Sequence, residues 1–139
     1  MSIEENKAVM RRIVEEILNK GNMAVVDEVI ATNYVLHGPF GEYKGPEGFK
    51  QGVTMFRNAF PDFNVTIEDM VAEGDMVALR LTMRGTFKGE MMGISPTDKQ
   101  LNMTEAIFIR FAGGKEVEAR SYADSLTMYQ QLGIPIPGQ

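Results

Sequence analysis

An α+β fold, in which three helices are followed by a long bent antiparallel sheet and cover one of its faces, is predicted by three features of the 139-residue chain. Apolar residues recur at helical spacing as far as Phe60. After Pro61 the period changes to two. Short Gly- and Asp-containing turn signals then separate four segments rich in β-formers.

The first helix is expected over residues 2–20. Ser2 with Glu5 three positions later forms a capping box, Met10, Ile13, Val14, Ile17 and Leu18 keep one face apolar, and Gly21 stops the helix. A second, short helix runs from Met23 to Ile30, with Asn22 as N-cap and Val25, Val26, Val29 and Ile30 turned to the first. The stretch "NYVLHGPFGEYKGPEG" is dense in Gly and Pro and reads as a loop. Pro46 suits the first turn of a third helix, whose face is marked by Phe49, Val53, Phe56 and Phe60 and which Pro61 ends. Strands are expected over Asn64–Glu73, Met76–Lys88, Gln100–Phe111 and Glu116–Leu126, with "GD", "GISPTD" and "GG" between them, so the sheet reads as a meander. A short terminal helix, "SLTMYQQLG", precedes the Pro-rich tail "IPIPGQ". With no repeat, low-complexity tract or linker, residues 1–139 read as a single domain.

Composition narrows the function classes. A hydrophobic fraction of 44% and a charged fraction of 24% are those of a soluble globular protein, and no apolar run is long enough to span a bilayer. No basic region followed by an apolar stretch opens the chain, so a cytoplasmic location is expected. A net charge of -5 without a basic cluster argues against nucleic acid. With no cysteine, thiolate nucleophiles and Cys-based metal sites are excluded; with His37 as the one histidine, multi-His metal sites are excluded too. The 11 methionines suit either a loosely specified core or an adaptable apolar pocket.

Strand alternation sorts the polar side chains. In "VALRLTMRGTFKGE", Val77, Leu79, Leu81 and Met83 share one side and Ala78, Arg80, Thr82 and Arg84 the other, with Gly85 a candidate for a bend or bulge. In the last strand Glu118, Arg120, Tyr122 and Asp124 lie opposite Val117, Ala119, Ser121 and Ala123. Two readings of that charged side are open. It is a solvated face with cross-strand ion pairs to Arg80 or Arg84, or it lines a pocket in which an arginine balances the acids and Asp124 faces a ligand. His37 by itself reads as a loop or capping histidine, and the Phe49, Phe56, Phe60 series reads as core before it reads as a substrate platform.

Taken together, "YVLHGP", "GPEGFKQGVTMFRNAFPDF", "VALRLTMRGTFKGEMMGISPT" and "GGKEVEARSYADSLTMYQQLG", with the N-terminal helix pair before them, resemble in order and spacing the SnoaL-like polyketide cyclases, or ester cyclases, of the NTF2-like superfamily. The resemblance covers nearly the whole chain. It implies a cone: a strongly curved antiparallel sheet wrapped around a deep pocket and closed by helices, commonly as a homodimer. It also implies ring closure by intramolecular aldol condensation without metal or cofactor. Asp124 falls on the aspartate that precedes the final "QLG" helix and is implied as the general base, with His37, from the family's H-x-P segment, as its companion. Arg80, Arg120, Glu105, Tyr122, Phe56 and Phe87 are the residues then expected to contact the substrate, a small hydrophobic molecule. This chain departs from the pattern in having Phe87 where the family has histidine in Gly-Thr-His, and Arg120 where tryptophan is expected. Phe87 neither donates nor accepts a hydrogen bond, so the role of the family histidine falls to another group or is absent. Arg80 or Arg120 is the candidate oxyanion partner, or, alternatively, a firm Arg–Asp pair keeps Asp124 ionised and lowers its basicity.

Three functional classes are compatible with these residues: a cofactor-free lyase or isomerase with Asp124 as base, a hydrolase resembling the limonene-epoxide hydrolases and using Arg80, Arg120, Asp124 and Glu118, and a non-catalytic small-molecule-binding or dimerisation module of the same superfamily.

Overall fold

The computed structural model describes residues 2–136. Helix α1 (Ile3–Arg12) starts at the expected capping box: the Glu5 amide donates to Ser2 Oγ at 3.1 Å and the Ser2 amide to Glu5 Oε1 at 3.3 Å. The helix continues as a π-helical segment, Ile13–Leu18, in which the Asn19 amide reaches back to the Val14 carbonyl. Widening the turn here sets Ile13, Val14 and Leu18 toward the sheet.

The expected second helix is present in two pieces and ends one residue early. A single 3-10 turn, Met23–Val25, leads into α2 (Val26–Val29), and Ile30 is already extended. Asn22 makes no side-chain cap. Strand β1 (Ile30–Gly38) follows at once and folds back through Pro39 and Phe40 into β2 (Gly41–Lys44), with Gly38 opposite Gly41. The segment that reads as a loop is therefore a hairpin. Pro39 and Phe40 make the two-residue turn between Gly38 and Gly41, and the period-two signal of Tyr34 and Leu36 is only two side chains long.

Helix α3 (Gly45–Ala59) has its proline in the first turn, as expected, and Pro61 follows its end. Strands β3 (Asn64–Glu73), β4 (Met76–Thr86), β5 (Gln100–Ala112) and β6 (Lys115–Ala123) occupy the four β-rich segments, and α4 (Ser125–Leu132) closes the described chain. Residues 137–139 of the Pro-rich tail lie outside the described residues.

The strands form one sheet of order β2-β1-β6-β5-β4-β3. All neighbours are antiparallel except β1 and β6, which pair in parallel. This is the expected α+β cone, enlarged from four strands to six. Gly85 does not bulge the sheet, since β4 keeps an unbroken register with β5. Its reason is close packing: a Cβ there would lie 2.8 Å from Phe60 Cβ.

The inner face of the sheet packs against the helices through Ile17, Val26, Phe60, Val77, Ile109 and Leu132, among others, all essentially inaccessible to water. Each such side chain contributes about 2 kcal/mol of hydrophobic stabilisation. No helix among the described residues is long and apolar enough to cross a membrane.

Candidate functional site

Core packing is incomplete where α1, the π-helical segment and α3 meet the curved sheet. A cavity of about 140 Å³ remains between them. Met10, Ile13 and Val14 form one wall, Val53, Met55 and Phe56 another, and Leu81, Met83, Met103 and Ile107 come from the sheet. An apolar cavity of this size holds one aromatic ring, while typical ligand sites run from about 300 Å³ upward. Larger ligands require the methionines to swing aside, which their unbranched side chains do readily.

Five polar side chains interrupt the apolar lining: Tyr34, Tyr43, Glu105, Glu116 and Ser121. Among the described residues no Lys, Arg or His joins them. Glu105 sits on β5 opposite Ala123, two residues along β6 from Ser121, whose hydroxyl donates to Glu105 Oε2 at 2.5 Å. Burial raises the Glu105 pKa above its ordinary value, and the Ser121 hydrogen bond opposes that rise.

Glu116 is only 2% exposed. It points inward because β6 has one extra residue: Arg110 pairs with Glu118 and Phe111 with Glu116, which leaves Val117 bulged between them. Without that bulge Glu116 would share the outer side with Glu118. Burial alone pushes its pKa up to about 8. Tyr34, on β1 and 1% exposed, has its pKa raised first by burial and then by the charges of Glu116 and Glu105, so it stays a phenol with a hydroxyl to donate.

Of the residues singled out in the sequence, Glu105 and Phe56 line this cavity. The others lie elsewhere. Asp124 falls one residue past the end of β6, is exposed, and caps α4: its carboxylate accepts from the Thr127 amide at 3.3 Å and the Thr127 hydroxyl at 2.7 Å. An aspartate beside a helix start satisfies orphan amides, and this geometry directs it away from the cavity. His37 alternates with the inward Leu36 and so faces outward, with Glu42 at 3.3 Å and Glu118 at 3.8 Å in a shallow cleft that also contains Arg120.

Arg80 also lies on the outer face and pairs with Asp69 at 2.7 Å across β3 and β4, rather than pointing to the cavity. Arg120 approaches Glu118 at 3.6 Å, on the solvated side of β6. Tyr122 is 62% exposed and packs edge-on against Phe108. Phe87 is fully buried, with its ring 5.7 Å from that of Phe60, and belongs to the core beside the cavity. The charged side of β6 is thus its outer side, and the small side, Ala119, Ser121 and Ala123, faces in. On that solvated face Glu118 meets Arg120 of its own strand and His37 of β1, and Arg80 meets Asp69 of β3; among the described residues no ion pair links Glu118, Arg120 or Asp124 to Arg80 or Arg84.

Glu116, Ser121, Tyr34 and Tyr43 are the polar cavity residues that sequence reasoning did not single out. A signal existed for Ser121, since a row of small residues opposite a charged row suits a crowded concave face. None existed for Glu116, whose orientation depends on the bulge. Among the described residues, no group of three His, Asp or Glu side chains is placed to hold a metal ion.

Comparison with known proteins agrees with this architecture. Residues 8–132 match the family model described as SnoaL-like polyketide cyclase. The aklanonic acid methyl ester cyclase AcmA of Streptomyces galilaeus is 31% identical over 139 residues, covering 97% of this chain and 95% of that protein. The nogalonic acid methyl ester cyclase of Streptomyces nogalater is 29% identical over 123 residues, or 86% of this chain and 91% of that one. The crystal structure of IdmH from Streptomyces antibioticus superposes with a TM-score of 0.80 at 30% identity, covering 93% of this chain and 99% of that one. With a family match across most of its length and relatives alike over nearly their whole chains, the protein belongs to the SnoaL-like polyketide cyclase family.

Proposed function

We propose that the protein is a cofactor-independent acid–base catalyst that moves a proton α to a carbonyl in a small hydrophobic compound, leading to aldol-type ring closure or isomerisation. The observation that carries this reading is the Glu105 carboxyl, held by Ser121 at 2.5 Å inside a cavity whose walls are otherwise almost wholly apolar. Desolvation raises its proton affinity, as a carboxylate base acting near neutral pH requires. The names of the relatives, cyclases of aklanonic and nogalonic acid methyl esters, agree with a carbonyl-bearing substrate.

In this reading Glu105 takes the α-proton and the C–H electron pair forms the enolate. Tyr34 donates a hydrogen bond to the enolate oxygen, where the negative charge collects. The enolate carbon attacks a second carbonyl carbon, a C–C bond forms, and the resulting alkoxide recovers the proton from Glu105. Product and substrate are isomers, so no external redox partner is needed. Asp124, as the cap of α4, supports the strand end that carries Ser121, and His37 lies at the outer cleft that shares Gly38, Pro39, Ser121 and Ala123 with the cavity.

The test is deuterium uptake from heavy water, followed by NMR, at the α-carbon of aryl ketones and keto esters of one to three fused rings. Exchange faster than in buffer, lowered about a hundredfold or more by Glu105→Gln, is expected. Exchange at the buffer rate across the set, or a Glu105→Gln variant as active as wild type, would refute the reading.

We also propose self-association into a homodimer through the outer sheet face, where Val71, Phe108 and Tyr122 remain 65%, 47% and 62% exposed. Sedimentation equilibrium should show a dimer that Phe108→Glu dissociates. A wild-type monomer at micromolar concentration would rule it out.

A further inference from the structure

We propose that the carboxyl of Glu116 acts as an uncharged hydrogen-bond donor at the end of the cavity remote from Glu105, and that the compound bound there carries a second, neutral oxygen acceptor, a ketone- or quinone-type carbonyl, at that end. The proposal deepens the reading of the cavity as a site of α-proton transfer and rests on it for which end of the ligand reacts.

Three features of the site carry the inference. First, the Val117 bulge turns a carboxyl into an apolar cavity, where a polar group without a partner loses its hydration and gains nothing in return. The side chain accepts no hydrogen bond and meets no cation among the described residues, since burial alone perturbs it. A buried group with its donor unused calls for a partner that arrives with the ligand. Second, the groups around it exclude an anionic partner. The titratable side chains sharing the cavity are Glu105 from β5 and Tyr34 and Tyr43 from the β1–β2 hairpin, and β5 adds the buried apolar Ile109 and, opposite Glu116, Phe111. No positive charge among the described residues faces the cavity, so an acid at either end of the ligand would meet only carboxyl groups. Third, the two carboxyls are well separated. Roughly 13 Å of strand divides Ser121, which holds Glu105, from Glu116. Tyr34, on β1, is within reach of the charge of both. One end of the ligand is then the reacting end and the other is a recognition end.

Burial holds Glu116 protonated through neutral pH, with its pKa at about 8. A ligand that accepts from the neutral carboxyl binds in proportion to the protonated fraction, so its affinity falls by about tenfold between about pH 7 and about pH 9. Binding of acetophenone is compared with that of ethylbenzene, which has nearly the same shape and no acceptor, by calorimetry across this range. Acetophenone is expected to bind more tightly at pH 7 and to lose the advantage at pH 9, while ethylbenzene stays unchanged. Glu116→Gln keeps a donor of the same shape, so it should retain acetophenone binding and abolish the pH dependence. Glu116→Leu should remove the preference altogether.

No preference for acetophenone in the wild type, an affinity that does not change with pH, or a pH dependence that persists in Glu116→Gln would overturn the proposal. Glu105→Gln separates the two readings. Loss of proton exchange with the pH-dependent preference intact supports both, whereas exchange that survives Glu105→Gln beside an intact preference refutes the base and leaves the Glu116 donor standing.

Discussion

Replacing Glu116 with glutamine should make the protein more stable at neutral pH and should not do so in acid. In the folded protein the Glu116 pKa is pushed from its ordinary value of 4.5 to about 8. Between those values the native state holds a proton that the unfolded chain has released, so folding binds a proton and stability falls as pH rises. Each pH unit costs about 1.4 kcal/mol. The loss is therefore about 3 kcal/mol at pH 7 and levels off near 5 kcal/mol above pH 8. Glu116→Gln removes this titration but leaves that of Glu105, whose pKa is also raised, so the difference between the two proteins isolates position 116. Urea unfolding followed by circular dichroism, at intervals from pH 4 to 9, measures it. The advantage of the variant should be small and constant below pH 4.5, grow through neutrality, and reach a plateau near pH 8. A difference that does not vary with pH would show that Glu116 titrates alike in both states, and the reasoning from its burial would fail.

Asp124→Ala removes the two acceptor contacts to Thr127 and should cost about 1 kcal/mol in urea unfolding, whereas Asp124→Asn, which keeps the cap, should cost only a few tenths. Loss of proton exchange in Asp124→Asn with stability unchanged would restore Asp124 as a base. Gly52, inside α3 and facing the cavity, has no atom within 4 Å of the point where an alanine methyl would lie, so Gly52→Ala should gain about 1 kcal/mol in stability and shrink the cavity. Thermal unfolding at a lower temperature than wild type would contradict this. Gly85→Ala, whose methyl would meet Phe60 Cβ at 2.8 Å, should destabilise by about 1–3 kcal/mol, and an unchanged unfolding midpoint would show that α3 and β4 separate more easily than their packing implies.

The parts of this protein legible in its sequence are those that local chemistry dictates. Ser2 and Glu5 announce the first helix, Pro46 and Pro61 bracket the third, and the Gly74–Asp75 and Gly113–Gly114 turns delimit strands whose alternation sorts Leu79 and Leu81 from Arg80. Family-like motifs added the cone and the pocket. Other features depend on contacts between distant segments. The β1–β2 hairpin is stabilised largely by the pairing of β1 with β6, residues more than eighty positions apart, so its own short alternation looks like a loop. Alternation says which residues share a side and not which side faces the helices; that is why Arg80, Arg120 and Tyr122 could be expected in the pocket and yet lie outside it. A one-residue bulge at Val117 inverts the phase and brings in Glu116. Asp124 read as a solvated surface charge or as a base, because both need the same carboxylate at the same strand end. Tertiary packing decided between the two carboxylate placements by ending β6 at Ala123 and closing an apolar cavity around Glu105 and Glu116, where desolvation, a property of the surroundings and not of the residue, sets their chemistry.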